Sequence, residues 1–444
     1  MNTLIGIFLV LGLMILVHEW GHFIVARFFG VRVDVFSIGF GPRLFGFKWG
    51  ATDYRISALP LGGYVRMAGQ DLSEVDSNDV APTGAPDELM SKPRWQRALI
   101  SFAGPTVNLI MPLLLLGGFY AIKGLPYPAY LDKPIVLSGL PQTSPLAKAG
   151  VADGDLVVSV NDVPTPTWSK ANSYLLQAAQ DGVLRLKIDH QGTQKVVEIK
   201  ATDVRETDRV FGNPPIPALV RPVDRGMPAS RAGLKRGDLI ASVNGKPVRN
   251  WFDFYEIITH SNGQVLNTVV KRNGSETNLT IHPVWNKDEE GVSAWRIGVA
   301  PEGDWAFKPM TLSASVKEAS DETLGASVKL FGVIGRLFSG KLSVRQLRSF
   351  VGIAALAGQA VEEGPVDVIN MMAMISLNLG ILNLLPIPIL DGGNILLLTM
   401  EGIRRRDFSL AFKERFVQVG LVFLLVFFAY VMYNDVMRML PSHS

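Results

Sequence analysis

Residues 4–29 read LIGIFLVLGLMILVHEWGHFIVARFF, an apolar run with two histidines and a glutamate near its middle. The run exceeds the ~20 residues that a helix needs to cross the hydrocarbon of a bilayer. It lacks a basic start and a small-residue cleavage site with a polar exit, so we predict a retained span rather than a signal peptide. Further apolar stretches at about 98–122, 366–389 and 416–432 predict three more spans.

The composition agrees with a chain divided between membrane and water. Of its 444 residues 48% are hydrophobic, and a net charge of +3 gives no reason to expect nucleic acid as a partner. The chain contains no cysteine, which excludes disulfides, a cysteine nucleophile and thiolate metal ligands.

Basic residues near the spans predict their orientation. The short connection between the third and fourth apolar stretches contains Arg404, Arg405, Arg406, Lys413 and Arg415. Cytoplasmic loops are rich in Lys and Arg, so we predict that this connection faces the cytoplasm, as does the equally basic segment between the first two spans. By alternation, both termini and the stretch from about residue 124 to 363 lie outside the cytoplasm.

The long external stretch contains a repeat. AGVADGDLV at 149–157 returns as AGLKRGDLI at 232–240, and Asn161 returns as Asn244, each 83 residues later. Short β-branched strands with Gly and Asn turns surround each copy, which predicts two tandem mixed α/β domains.

The repeated unit resembles the PDZ domain over about 134–204 and 219–284. In that family the matched loop precedes a strand edge that accepts a peptide. The simpler interpretation of Gly154-Asp155 and Gly237-Asp238 is a turn before a strand. Downstream, the amphipathic stretch 312–338 predicts a helix that lies on the membrane surface, with a soluble helix packed on the second repeat as the alternative.

His18-Glu19-Trp20-Gly21-His22 places two imidazoles on one helix face, where they can share a metal ion. Zinc lowers the pKa of water at such a site, and Glu19 stands where a carboxylate can take its proton. The pattern alone is common by chance, but two histidines and a glutamate inside a span are costly and need partners. We therefore predict a zinc site with Glu19 as general base.

A third ligand is expected, because catalytic zinc usually takes three protein ligands and leaves one position open. The remaining histidines lie in the repeats or the tail, namely His190, His260, His282 and His443. Asp391, in NLLPIPILDGG at 383–393, is the carboxylate inside a long apolar run at matching depth. The alternative is a simple kinked span with Asp391 at the interface.

Pro386 and Pro388 predict a break in that span, because proline removes a helical hydrogen bond. Irregular backbone at membrane depth is tolerated only where protein or a water-filled cavity surrounds it. A hydrolase needs such a cavity to bring water to the metal.

The two motifs in this order, with PDZ-like domains between them, resemble the site-2 protease family over essentially the whole chain. The resemblance implies cleavage of single-span proteins within the membrane, usually after a first cut has removed their external domain. It implies that His18, His22 and Asp391 bind one Zn²⁺ per chain, with Glu19 as the base. It also implies substrate contacts, from Asn378, Asn383, Pro386, Pro388, Gly62, Gly63 and Tyr64.

Residues 53–67 predict a hairpin with a Pro/Gly turn. In the site-2 protease family the matching hairpin dips into the membrane near the active site, where a strand edge can hold a substrate extended. An ordinary surface hairpin is the alternative.

Together these features predict a polytopic α-helical membrane protein with four transmembrane helices and two tandem mixed α/β PDZ-like domains inserted between spans two and three. The predicted segments are the first span with the zinc motif (1–30), a cytoplasmic-side loop with a membrane-associated β-hairpin (31–96), the second span (97–123), two PDZ-like domains (124–210 and 211–305), amphipathic membrane-surface helices (306–364), the third transmembrane segment with the Asp391 ligand (365–400), and the fourth span with the tail (401–444).

The resemblance to the site-2 protease family implies an intramembrane zinc metalloprotease of the bacterial inner membrane, which acts in regulated intramembrane proteolysis on single-span substrates such as anti-sigma factors or remnant signal peptides. Its site lies near the cytoplasmic side, and its PDZ-like domains and termini lie in the periplasm. The lipid bilayer, and peptides or proteins at the PDZ-like domains, are the other expected partners. A metal transporter stays open as an alternative, because broken spans and intramembrane acids also mark ion paths. A membrane-anchored PDZ scaffold is the second alternative.

Overall fold

A computed structural model describes residues 2–69, 83–140, 142, 144–164, 166–171, 173–174, 182–200, 211–221, 223–224, 226–287, 293–341 and 349–439. The C-terminal end of the first predicted PDZ-like domain and His443 lie outside these ranges. The described chain forms two units, Met1–Leu125 with Pro309–Ser444, and Pro126–Lys308.

The helices are α1 (Asn2–Gly6), continued by a π-helical stretch (Ile7–Gly12) into α2 (Leu13–Phe28), then α3 (Arg94–Lys123), α4 (Pro145–Lys148), α5 (Pro228–Arg231), α6 (Trp251–Thr259), α7 (Leu312–Phe338), α8 (Phe350–Glu363), α9 (Pro365–Asn383), α10 (Asp391–Arg404) and α11 (Leu410–Met439). The strands are β1 (Val33–Trp49), β2 (Thr52–Met67), β3 (Leu125–Pro128), β4 (Leu156–Val160), β5 (Val163–Pro164), β6 (Val183–His190), β7 (Thr193–Lys200), β8 (Leu239–Val243), β9 (Lys246–Pro247), β10 (Leu266–Arg272), β11 (Ser275–Ile281), β12 (Val284–Lys287), β13 (Ser293–Arg296) and β14 (Trp305–Lys308).

Four helices of the described chain are long and apolar enough to cross a membrane: Asn2–Phe28, Arg94–Lys123, Pro365–Asn383 and Ala411–Asn434. This count agrees with the four predicted spans. The third span ends at Asn383 and not near residue 389 as predicted. Proline disfavours helical backbone in the residue before it and has no N–H to donate, so the segment 384–390 leaves the helix before Pro386 and Pro388.

The first span packs closely on the second through small residues. A methyl group on Gly21 would lie 2.7 Å from the carbonyl oxygen of Ala103, so only glycine permits this approach of α2 to α3. Between helices in a membrane, small residues allow the close backbone contact that drives association. The approach also brings residues of α3 within hydrogen-bond distance of the histidines of α2.

The predicted hairpin at 53–67 is wrong in its pairing. The turn of the β1–β2 ribbon lies at 50–51, and residues 35–38 of β1 pair with 53–56 on one side and with 63–66 on the other. The two arms of 53–67 therefore flank β1 and do not pair with each other. β1 bends at glycines with positive φ, among them Gly39 at 91° and Gly41 at 86°. The parts of β1 before and after this bend can therefore both pair with β2.

Helix α7 spans the residues that the amphipathic spacing predicted. Its buried face carries the small residues Ser315 and Ala319 and contacts α3, where Tyr120 Oη donates a hydrogen bond of 2.6 Å to Glu322. The large apolar residues Val328 and Phe331 are exposed. An exposed apolar stripe is typical of a helix on a membrane surface, which stays a prediction.

The unit Pro126–Lys308 contains two four-stranded sheets of the same topology. Their strand orders are β5-β4-β6-β7 and β9-β8-β10-β11, and β8 begins 83 residues after β4. Each sheet covers its own hydrophobic core, and these cores centre on Leu186 and Phe254.

The two Gly-Asp pairs do more than form turns. Asp238 is fully buried and accepts a hydrogen bond of 2.7 Å from Arg272 Nη2. Asp155 is also buried, and its carboxylate contacts His190 Nδ1. Each aspartate also accepts a backbone N–H from the loop before it, at Ala152 and Lys235. The aspartates therefore tie the loop to the sheet in both copies.

A buried carboxylate joins the ends of three helices in the first unit. Glu401, near the end of α10, is fully buried, and its carboxylate lies 3.2 Å from Lys413 Nζ of α11 and 4.0 Å from Arg97 Nη2 of α3. The backbone N–H of Phe408 donates to the same carboxylate at 3.0 Å. Breaking a buried ion pair leaves charges without compensation, which is strongly destabilising.

We expect Glu401→Gln to lower the free energy of unfolding by about 3 kcal/mol, because Arg97 and Lys413 keep their charges in a partly buried site. Glu414→Gln, which changes an exposed glutamate of α11, should stay within about 0.5 kcal/mol. Thermal unfolding of both variants in detergent checks this, and equal stability of the two would contradict it.

Candidate metal centre

Three predicted ligands meet in the first unit, although α2 and α10 are far apart in sequence. His18 Nε2 lies 3.2 Å from Asp391 Oδ2, and His22 Nε2 lies 3.4 Å from Asp391 Oδ1. The two Nε2 atoms are 3.2 Å apart. Within the described residues, this is the one group of three histidine or acidic side chains close enough to hold a metal ion.

The geometry fits a tetrahedral zinc site. Zinc binds imidazole nitrogen and carboxylate oxygen at about 2.0–2.2 Å, so two of its ligands in a tetrahedron are about 3.3 Å apart. The two imidazole nitrogens are 3.2 Å apart, and each lies 3.2 or 3.4 Å from a different oxygen of the Asp391 carboxylate, which is close to that edge length. Three such ligands would fill three corners of the tetrahedron and leave the fourth for water or substrate, as in catalytic zinc sites.

Asp391 is positioned by the segment 384–390, which folds onto the first turn of α10. Methyl groups on Gly392 and Gly393 would lie 2.3 Å from carbonyl oxygens of this segment, so both positions require glycine. Ile389 has a φ of 82°, a conformation that β-branched residues adopt only under constraint. Such strain costs about 1–3 kcal/mol and is typical of functional sites.

His22 is positioned by α3. Its Nδ1 lies 2.7 Å from the carbonyl oxygen of Ile100, which can only accept, so Nδ1 carries the hydrogen and Nε2 presents its lone pair to a metal. Gly104 lies against the same ring, and a methyl group there would be 2.3 Å from His22 Nε2.

Two residues at this site were missed by the sequence reasoning. The side-chain amide of Asn108 lies 3.1 Å from His18 Nδ1, and Ser376 Oγ donates to the backbone carbonyl of Asn108 at 2.9 Å. Both residues are fully buried. A signal was available, because Asn108 is the one amide side chain in the apolar stretch 98–122, and polar groups inside spans need partners.

Glu19 lies beside the sheet edge formed by residues 63–66. A methyl group on Gly63 would be 3.3 Å from Glu19 Cγ, so the chain at Gly63 passes directly against the half-buried glutamate. Within the described residues, no further strand pairs with the β1–β2 ribbon. The outer edge of 63–66 is therefore next to the predicted general base.

The other predicted substrate residues are distributed around the centre. Asn383 is adjacent to it, with Nδ2 3.3 Å from His18 Nε2. Pro388 packs against Gly420 of α11, whereas Pro386 is exposed. Asn378 is half-buried on α9, five residues before Asn383 and thus on a different side of the helix.

Gly62 and Tyr64 both contact Phe40. A methyl group on Gly62 would lie 2.5 Å from the Phe40 ring, and the Tyr64 ring stacks on it with centroids 5.9 Å apart. Tyr64 also hydrogen-bonds to Arg55. These contacts fix the backbone of the edge strand 63–66.

Comparison with known proteins identifies the family of the chain. A sequence model described as Peptidase family M50 matches residues 6–427. Protease RseP of Yersinia pestis is 31% identical over 98% of this chain and 99% of its own length. Regulator of sigma-E protease RseP of Escherichia coli is 30% identical over 97% of both chains. A relative from Neisseria meningitidis that carries zinc metalloprotease in its name is 30% identical over 99% of this chain and all of its own.

We expect Gly104→Ala to weaken zinc binding at least about tenfold, because the added methyl group displaces the His22 ring and disturbed ligand geometry costs about 10–100-fold in affinity. Gly118→Ala on the same helix is the matched control, since a methyl group there meets no atom within 4 Å. Competition with a chromogenic zinc chelator measures both affinities. Wild-type affinity in the Gly104 variant would contradict the geometry.

Proposed function

The chain belongs to peptidase family M50, the site-2 type of zinc metalloprotease that acts in regulated intramembrane proteolysis, and we propose that His18, His22, Asp391 and Glu19 form its active site. The observation that carries this proposal is the meeting of His18 and His22, from the first candidate span, with Asp391 at the start of α10, close enough to hold one metal ion. The described chain has four candidate spans, and its RseP relatives suggest a bacterial inner membrane protein. Membership of the family favours the peptidase over the metal transporter and the PDZ scaffold.

The side chains divide the work of peptide hydrolysis. His18, His22 and Asp391 hold the zinc, which when bound polarises the scissile carbonyl and makes water a better nucleophile. Glu19 directly follows His18 on α2 and takes the proton from the attacking water at its carboxylate. The same carboxylate then gives that proton to the leaving amine, so one group serves as base and acid in turn.

Asn383 is the residue that we assign to the substrate beside the ligands. Its amide lies 3.3 Å from His18 Nε2, but that nitrogen has no lone pair left once it ligates zinc. The amide N–H is then available to a substrate carbonyl. In our proposal Asn378 of α9, together with Pro386 and Pro388 of the segment 384–390, provides further substrate contacts.

The edge strand 63–66 presents backbone groups to an extended substrate. A helical substrate hides its peptide bonds in hydrogen bonds between residues i and i−4, so it must unwind before attack. Addition of an extended segment to a sheet edge replaces those hydrogen bonds. Because Gly63 lies against Glu19, a segment added at Gly62–Tyr64 reaches the base directly.

The remaining assignments rest on the same family membership. We propose that the segments 124–210 and 211–305 are PDZ-like domains which contact proteins or peptides in the periplasm through strand edges. Both termini share that side, and the active site faces the cytoplasmic half of the membrane. The substrates are single-span membrane proteins, with anti-sigma factors and remnant signal peptides as the expected classes.

We expect Glu19→Gln to retain one zinc per chain and to lose cleavage by a factor of at least about 100, because the amide cannot take the proton from water. Asp391→Ala should lose both zinc and cleavage. Purified variants are tested by metal analysis and with a single-span reporter in detergent or liposomes. Cleavage by Glu19→Gln at the wild-type rate would refute the assignment of the base, and full zinc in Asp391→Ala would refute the third ligand.

A further inference from the structure

The structure assigns a positioning role to Asn108: its side-chain carbonyl oxygen accepts the Nδ1–H of His18 and so presents the Nε2 lone pair of His18 to the metal. This inference deepens the proposed function, because it rests on His18 as a ligand through Nε2. It concerns a residue of the second span that neither the zinc motif nor the aspartate motif includes.

The two ring nitrogens of His18 face different partners. Nε2 faces the metal site, 3.2 Å from both His22 Nε2 and Asp391 Oδ2, so Nε2 is the ligand atom. A neutral imidazole carries one hydrogen, and a nitrogen that ligates a metal cannot hold it. The hydrogen must therefore sit on Nδ1, where it needs an acceptor.

Asn108 is the group that faces Nδ1. The structure places the amide nitrogen Nδ2 of this fully buried residue 3.1 Å from His18 Nδ1. The oxygen and nitrogen of an amide have nearly equal size, and the hydrogen-bond network decides which of them faces a partner. A donor on Nδ1 requires the oxygen.

Ser376 provides a partner for the end of the Asn108 amide that faces away from His18. Its Oγ donates to the backbone carbonyl of Asn108 at 2.9 Å and lies 3.5 Å from the amide atom that is assigned as Asn108 Oδ1. With the oxygen turned to His18, that atom is the NH₂ group, which donates to the serine oxygen. Ser376 lies on α9, so the network joins α2, α3 and α9.

The two histidines differ in a way that makes this role testable. His22 donates to the backbone carbonyl of Ile100, which no side-chain substitution removes. His18 depends on a side chain. Outer hydrogen bonds fix the tautomer and the orientation of ligand imidazoles, and their loss typically costs 10–100-fold in metal affinity.

The test compares two replacements of similar shape, measured by zinc affinity in chelator competition and by visible absorption of the Co²⁺-substituted protein. Asn108→Leu should bind zinc about 10–100-fold more weakly and shift the Co²⁺ spectrum, because Nδ1–H loses its acceptor. Asn108→Asp should stay within about threefold of wild type, because a carboxylate also accepts and is typical beside ligand histidines. Thr106→Val is the control, since that threonine is half-buried on α3 and its side chain donates to the backbone carbonyl of Phe102 in its own helix.

Two outcomes overturn the inference. Wild-type affinity in Asn108→Leu would show that the amide does not position His18. A loss of tenfold or more in Asn108→Asp would show that Asn108 acts as a donor to Nδ1, and this arm suffices if the leucine variant is not recovered folded. His18→Ala separates the two claims: if it keeps its zinc, the proposed metal site itself is wrong, and if only His18→Ala loses zinc, the site stands and the role of Asn108 falls.

Discussion

Two imidazoles inside an apolar helix and a carboxylate at the start of a second helix are the constraint on which the first unit depends. Such groups are costly in hydrocarbon unless they find partners, and here they find one another within 3.4 Å. The surrounding backbone is shaped to allow it. Gly21 and Gly104 allow α3 and α2 to pack closely on each other. Gly392 and Gly393 allow the segment 384–390 to pack closely on the first turn of α10. Substituting any of these glycines places a methyl group on backbone or on a ligand ring, so the packing and the chemistry cannot be separated.

The centre also explains why a break in the third span is useful. Helix α9 ends at Asn383 and α10 starts at Asp391, and this break places the Asn383 amide and the Asp391 carboxylate beside the same imidazole, that of His18. A continuous helix could not bring both side chains to that ring. The strained backbone at Ile389 is a local cost of that turn. At its other end, α10 is held by the buried Glu401 between cations of α3 and α11. The ligand helix is thus held at both ends by the helices around it.

Much of this was predictable from local pattern, and the failures have physical reasons. Hydropathy predicted the four spans, because a long apolar run is a signal within a single helix. The spacing of His18 and His22, with one buried acid, predicted the proposed ligands, because the cost of burying such groups forces them to find partners. The pairing of residues 53–67 was not predictable, because each arm of this segment could form its strand hydrogen bonds either with the other arm or with β1. Only the bend of β1 decides between these two partners. Asn108 was overlooked because one amide in a span has no periodicity, and its partner is 90 residues away.

X-ray absorption at the zinc edge of the purified, zinc-loaded protein tests the central claim most directly. The account predicts one zinc per chain with four light-atom neighbours at about 2.0–2.2 Å, and the outer-shell scattering of two imidazoles. A six-coordinate shell of oxygen atoms without imidazole scattering would contradict it, because His18 and His22 would then not be ligands.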